Sequence, residues 1–199
     1  MIAVFLVIVG ANVVHAQLNV SAGPNIGAGH TWLRGEGKSR FQPAANFGIS
    51  LIHSANDHVG IGLDLKYSIE GGAKKVSGLT NNNDLRYLRI PVKAIYFFNE
   101  YGDAIRPKVS LGPSMGVLLG GKTTLGSAEF ASKDIFKTLD FGLAANAGVH
   151  VRMISGTWLT FDLNYYHGLS DVSSSVNSVF RNRNLQVNAG LMIGFAKSN

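Results

Sequence analysis

The run from His58 to Glu70, HVGIGLDLKYSIE, alternates without a fault. Val59, Ile61, Leu63, Leu65, Tyr67 and Ile69 fall on one side, and His58, Gly60, Gly62, Asp64, Lys66, Ser68 and Glu70 on the other. Successive side chains of a β-strand point to opposite faces, so this period of two describes a strand with one aliphatic face and one face of glycine and charge. The rest of the chain must decide which face looks inward.

The same period returns along the chain. It is legible over 18–29, 44–51, 85–98, 105–119, 136–151, 157–167 and 184–195, which with the first run makes eight segments. Twenty-four glycines and only 15% charged residues fit extended, tightly turned backbone rather than helix, so the fold class is all-β. A length of 199 residues without a Pro- or Ser-rich linker gives one domain. No run beyond the N-terminal segment approaches the roughly 18 apolar residues of a membrane helix. With no cysteine, a disulfide framework and a thiolate metal site are both excluded. The net charge of +6 is dispersed and belongs to no recognition module, which argues against a nucleic-acid partner.

Residues 1–16 are apolar almost throughout and end Val14-His15-Ala16 before Gln17. A short apolar core and a small-residue site resemble a secretory signal peptide, with cleavage expected after Ala16 and a mature domain over 17–199. The usual basic n-region is missing. The connections that follow fall at 31–40, 54–57, 71–84, 99–103, 120–134, 154–156 and 168–183. They run long, short, long, short, long, short, long, as in an up-and-down meander whose two ends face different compartments. The glycine-rich, polar 71–84 and 120–134 segments read as irregular loop.

Two architectures accept such strands. A soluble lipocalin-like carrier would turn its aliphatic face inward, whereas a transmembrane barrel turns it to lipid. The polar face here is rich in Gly, Ser, Asn and Ala, which suits a narrow lumen, and charges avoid the middle of the apolar face. Aromatic residues fall near strand ends in two girdles: Trp32, Phe41, Tyr67 and Tyr165 toward the long loops, Tyr96, Phe98, Trp158 and Phe195 toward the short turns. The expected fold is an eight-stranded antiparallel up-and-down transmembrane β-barrel. Pro24, Pro91, Pro107 and Pro113 sit inside its strands, and local bulges are expected at Pro91 and Pro113.

Several stretches carry a family resemblance: Tyr87-Leu88-Arg89-Ile90-Pro91-Val92-Lys93, Asp140-Phe141-Gly142-Leu143 with Ala147-Gly148-Val149, Tyr166-His167-Gly168-Leu169-Ser170-Asp171, and the last strand closing on Phe195. The chain resembles the small outer-membrane β-barrels of Gram-negative bacteria, labelled porin family or outer membrane protein beta-barrel domain, with an architecture similar to OmpA and OmpX. The resemblance implies residence in the cell outer membrane, contact with its lipid and with the barrel-assembly machinery, no cofactor and no enzymatic role. Ala196-Lys197-Ser198-Asn199 follow the aromatic on which such barrels usually end.

The polar face supplies the chemistry. His58, Asp64, Lys66, Glu70, Arg89, Lys93, Arg106, Lys108, Asp140, His150 and Asp162 all project from it. A symmetric turn over 99–103 would set Lys93 nearly opposite Lys108, a repulsion needing water or carboxylates from across the lumen. The network expected comprises Asp64, Lys66, Arg89, Lys93, Lys108, Asp140 and Asp162, either plugging the barrel or lining a narrow path for small solutes or ions. His167, Ser170 and Asp171 cluster where a lipid-processing nucleophile and base could meet, but their spacing has no mechanism behind it. His53, His58 and His150 lack metal-ligand spacing, so no metal site is expected. Specificity is assigned to the four long loops, which would meet an extracellular ligand or surface polysaccharide, and the chain is expected to be a monomer.

Overall fold

The fold is seen in a computed structural model that describes residues 19–35, 39–76, 79–154, 156–176 and 178–195. The proposed signal peptide and the tail after Phe195 lie outside the described residues. In chain order the elements are β1 (Asn19–Arg34), β2 (Ser39–Arg40), β3 (Gln42–Ser54), β4 (Val59–Val76), β5 (Leu79–Phe97), β6 (Ile105–Leu125), β7 (Ala128–Ala131), α1 (Ser132–Ile135), β8 (Leu139–Ile154), β9 (Thr157–Gly168) and β10 (Arg181–Gly194). Eight of these strands pair antiparallel with their chain neighbours, and β1 pairs with β10 to close the ring. The fragments β2 and β7 only extend it, on β4 and β6 respectively.

The direction of the faces follows from burial. Ile61, Leu63 and Leu65 are 56%, 41% and 50% exposed, while Asp64 and Glu70 are each 1% exposed. The aliphatic face therefore looks out and the charged face in, the reverse of a soluble carrier. The same sense holds on β10, where Leu185 and Val187 are exposed and Asn184, Gln186 and Asn188 are buried. A wall of this kind needs an apolar surrounding, which a bilayer supplies.

Two of the expected loops are strand. Residues 71–76 and 79–84 continue the β4–β5 ladder as far as Val76↔Leu79, and β6 runs on to Leu125 before turning back as β7. Beyond Glu70 the β4 arm adds six residues, about 20 Å of hairpin above the barrel. Polarity and glycine content misdirected the sequence reading, because above the membrane a ladder has no need of an apolar face. Gly71 and Gly121, at φ 131° and 134°, take up the bend where these arms leave the wall. Next to them the β5–β6 register shifts between Arg86 and Tyr87, and a bulge at Leu119 reverses the facing of β6.

The bulges expected at Pro91 and Pro113 do not occur. Pairing of β4 with β5 lapses at Ile90 and Pro91, then resumes in the same register from Lys66↔Arg89 to Leu63↔Val92. Pairing of β5 with β6 lapses likewise beside Pro113, between Pro91↔Ser114 and Ala94↔Leu111. Each proline thus drops local ladder bonds on one side only, and pairing on its other side continues: Pro91 faces Ser114 and Pro113 faces Leu143.

Trp158 is also placed differently from the sequence reading. It is 4% exposed and points into the barrel, in step with Thr160 and Asp162 on the inner face of β9. Together with Ile52, Ile95, Phe97 and Met192 it forms an apolar cluster at the short-turn end, against which Tyr101 packs. A second cluster, of Leu33, Leu85, Tyr87, Leu118, Phe136 and Val172, lies inside the long-loop end.

Leu63→Lys is expected to block membrane assembly, since a cation near the middle of the lipid-facing wall costs about 2–4 kcal/mol. Asp64→Asn, on the inner face of the same strand, is expected to leave assembly intact. Heat-modifiable gel mobility of the two variants checks both outcomes, and the opposite result would mean that the faces are reversed.

Candidate functional site

Between the two apolar clusters the inward positions of all eight barrel strands are mainly polar, and charged side chains converge there. The inner face of β4 delivers Asp64, Lys66 and Glu70, and that of β5 delivers Arg89 and Lys93. Strands β6, β8 and β9 add Lys108, Asp140 and Asp162.

Arg89 occupies the level nearest the long loops. Its Nε donates to Glu70 Oε1 at 2.7 Å and its Nη2 to Glu70 Oε2 at 2.5 Å, a bidentate pair. The same Nη2 reaches Asp140 Oδ2 at 2.7 Å. The guanidinium lies over the Tyr166 ring at 3.8 Å and the Tyr87 ring at 4.7 Å. Asp140 takes further bonds from Asn182 Nδ2 and Ser170 Oγ, each at 2.8 Å. Strands β4, β5, β8 and β10 are thereby tied across the lumen through one cation.

Halfway down, Asp64 Oδ2 receives Lys93 Nζ at 2.6 Å and Lys66 Nζ at 3.0 Å. Nearby, Lys108 Nζ stands 2.7 Å from Asp162 Oδ1, and Thr160 Oγ1 donates to Asp162 Oδ2 at 2.7 Å. Lys93 and Lys108 are not cross-strand partners: Phe97 is the residue opposite Lys108. Phe98 N–H donates to Pro107 C=O, so the turn is longer on the β6 side than a symmetric turn over 99–103 allows, and each lysine meets its own carboxylate. Four cations and four carboxylates face one another in these groups, which together carry no net charge.

Glu70 was legible as an inward residue but not as the partner of Arg89. The ladder sets Lys66 opposite Arg89, and the guanidinium reaches past it to the carboxylate four residues on. Asn46 and Asn188 bond to each other across the intervening β1, with Asn188 Nδ2 donating to Asn46 Oδ1 at 2.8 Å. They meet over Gly27, where any Cβ would collide with both amides. That glycine is therefore a packing requirement of the lumen.

Little space is left. A cavity of about 50 Å³ lies among Asp64, Lys66, Glu70, Arg89 and Lys93, and another of about 20 Å³ lies beside Lys108 and Asp162. A water needs roughly 10–15 Å³ by this measure, so there is room for only a few waters between them. At the short-turn end Arg106 covers the Phe97 ring at 3.9 Å and donates from Nη2 to Asp57 C=O at 2.6 Å. His150 is buried beside the same ring, and His58 Nδ1 lies 3.0 Å from Phe97 O.

The remaining candidates sit on the outside or the rim. Trp32, Tyr67 and Tyr165 are partly exposed, Phe41 is 73% exposed, and Trp32 and Tyr165 have ring centroids 6.4 Å apart. At the other end Tyr96 and Phe98 meet edge to face at 5.3 Å, and Phe195 is 63% exposed. His167, Ser170 and Asp171 do not assemble. The His167 ring lies against Tyr165 and Arg183, Ser170 serves Asp140 and the Phe141 backbone, and Asp171 pairs with Lys137. No cluster of metal-ligating side chains occurs among the described residues.

Residues 168–176 and 178–183 fold over the long-loop end. Val172 is fully buried, Phe136 pairs with Ser173, and Ser174 N–H donates to Ile135 C=O at 2.9 Å. Asp171 holds this loop together. Burial works to raise its pKa, but the Ser173 and Phe180 N–H groups and the Lys137 ammonium outweigh that and hold the carboxyl below the usual range.

Taken together, a closed ring of eight long strands, an aliphatic exterior and a charge-paired interior define a transmembrane barrel of the outer-membrane class. The chain belongs to the outer membrane protein beta-barrel domain family, whose model matches residues 10–174. Solved structures of similar fold include Neisserial surface protein A, at 18% identity over 87% of this chain and 97% of that one, TM-score 0.57. OprG of Pseudomonas aeruginosa aligns at 11% identity over 90% and 96%, TM-score 0.59. Ail, the attachment invasion locus protein of Yersinia pestis, aligns at 15% identity over 88% and 100%, TM-score 0.51. No curated protein matches the chain by sequence.

Two outcomes test this arrangement. Arg89→Met strands Glu70 and Asp140 and is expected to cost about 3–5 kcal/mol in urea unfolding, whereas Lys122→Met, at the exposed Glu129 pair, changes stability by less than about 1 kcal/mol. The Asp171 contribution is complete above the ordinary aspartate range and is lost as pH falls through its lowered value. Asp171→Asn is thus expected to expose residues 168–183 to limited proteolysis at neutral pH, which the native chain resists down to about pH 4.

Proposed function

We propose that this outer-membrane protein is a non-conducting, non-enzymatic barrel in a structural and surface-interaction role, presenting its long loops to the exterior. The observation that carries this reading is the filling of the lumen. Paired charges occupy its middle, and side chains as large as Trp158 and Phe97 at one end, and Tyr87 and Phe136 at the other, are 4% exposed or less. An eight-stranded barrel is only wide enough for its own side chains to fill. A solute path would have to open both clusters and separate ion pairs of 2.5 to 3.0 Å.

The exterior end has the opposite character. Two hairpin arms rise from the wall, and apolar side chains stand exposed on and beside them: Leu125, Phe130, Leu169, Val176 and Val179. Val176 is 97% exposed. Exposed apolar residues on a rigid support are the usual material of a contact surface. Ail, to which the fold is similar, is described as an attachment invasion locus protein, which supports an adhesive reading of this architecture.

Refolded protein in a planar bilayer is expected to give no conductance steps up to the voltage at which the bilayer fails. Steady single-channel steps would instead establish a narrow pore for small solutes or ions. On intact cells, removal of residues 72–83 is expected to leave barrel mobility on gels unchanged while reducing adhesion of the cells to a host-matrix or polysaccharide-coated surface.

A further inference from the structure

Toward the long loops, one side of the outer wall changes from aliphatic to aromatic and then to cationic. On β1 the outward positions read Ile26, Ala28, His30, Trp32, Arg34. The facing positions of β10 read, in the same direction, Val187, Leu185, Arg183, Arg181, with Arg34 opposite Arg181 and Trp32 opposite Arg183. Arg34 and Arg181 are exposed. Among the described residues, none of Arg34, Arg181 and Arg183 forms an ion pair with a carboxylate. Arg183 is held by backbone, donating from Nη1 to Gly168 C=O at 2.5 Å and to Asn182 C=O at 2.9 Å, and its Nη2 lies 2.9 Å from His167 Nε2. Like charges opposed across neighbouring strands repel, and the lumen of this same chain gives every lysine a carboxylate. Among the described residues this set at the rim is uncompensated, and it calls for an anion from outside.

Beneath it on the same strands lies an open groove of about 540 Å³ in the lipid-facing wall. Its floor is Ala28, Ala45 and Ala189, and its sides include Phe47, Tyr67 and Phe161. Small residues there leave a depression between large ones, and Phe47 and Tyr67 pack at 5.3 Å to form one bank. Between groove and cations, His30 stacks on Phe41 at 4.7 Å and on Trp32 at 5.1 Å, an aromatic shelf at the level where such rings meet headgroups. From Ala28 to Arg34 is six residues, about 20 Å along the strand and about 15 Å along the membrane normal at a tilt near 40°. That is the depth of one leaflet.

We infer that this face is a binding site for a phosphorylated, multi-acyl glycolipid of the outer leaflet, with phosphate at Arg34 and Arg181 above the buried Arg183, sugar against Trp32 and Phe41, and an acyl chain in the alanine-floored groove. The inference goes beyond the surface role proposed above and uses only the placement of the barrel in the membrane. It also differs from a headgroup-only or a chain-only site, because it requires both parts on one molecule.

The test is native mass spectrometry of the full barrel released from phosphatidylcholine nanodiscs doped with diphosphoryl lipid A. One retained lipid A per chain is expected, in preference to phosphatidylglycerol added at the same level. The double variant Arg34→Gln, Arg181→Gln is expected to weaken retention at least about tenfold, as each cation near a charged membrane surface contributes on that scale. Ala28→Phe with Ala45→Phe, which fills the groove, is expected to weaken it as well, and both variants should keep the native heat-modifiable mobility. Retention unchanged in the arginine variant, equal retention of phosphatidylglycerol, binding of free pyrophosphate that competes fully, or a chain dimer occupying the groove would each overturn the inference. None of these results alters the conductance measurement, so the two readings fail independently.

Discussion

Every other feature depends on the seam between β1 and β10. In hydrocarbon no water is available to an unpaired backbone group, so a sheet survives there only if its first and last strands find each other. The pairing runs from Ser21↔Gly194 to Arg34↔Arg181, and Phe195 N–H adds one more bond to Val20 C=O at 2.7 Å. Closure with eight strands fixes the diameter, and the diameter decides what the inner face can be. It explains glycine where two amides must meet, as at Gly27, and it explains why charged groups inside must be neutralised by neighbours rather than by solvent.

Seen this way the molecule is an inverted globular protein with a capped interior. Its core is polar in the middle and apolar only at the ends, where the clusters around Phe97 and Tyr87 separate the ion pairs from water on both sides. Burying a charge is costly unless its partner and hydrogen bonds are all present. Arg89 is offset by two carboxylates and two aromatic faces, with its buried Nη1 left unbonded, and it links β5 to β4 and β8. The lumen therefore braces the wall against lateral distortion.

The direction of each face, the strand count and the alternation of long and short connections could be read from the residues, since lipid and lumen impose opposite preferences at every second position. What could not be read depends on register or on the loss of those preferences. Trp158 looks like a girdle residue by type, yet its parity with Thr160 and Asp162 places it inside. The arms over 71–84 and 120–134 leave the bilayer and so lose the alternation that marks a membrane strand. Lys93 and Lys108 required the true geometry of their turn, and Pro91 and Pro113 required knowing that a ladder can skip a pair without changing register. Arg34 and Arg181 gave no sequence signal because their adjacency exists only once the barrel is closed.

The two tryptophans divide the molecule optically. Trp32 stands half-buried on the outer wall toward the long loops, and Trp158 is enclosed among Met192, Ile52 and Phe97. Emission from Trp32 responds to the arrival of lipid, and emission from Trp158 to the enclosure of the short-turn end. The chain thus carries its own pair of chromophores for timing insertion against closure, one on each side of a wall a single strand thick.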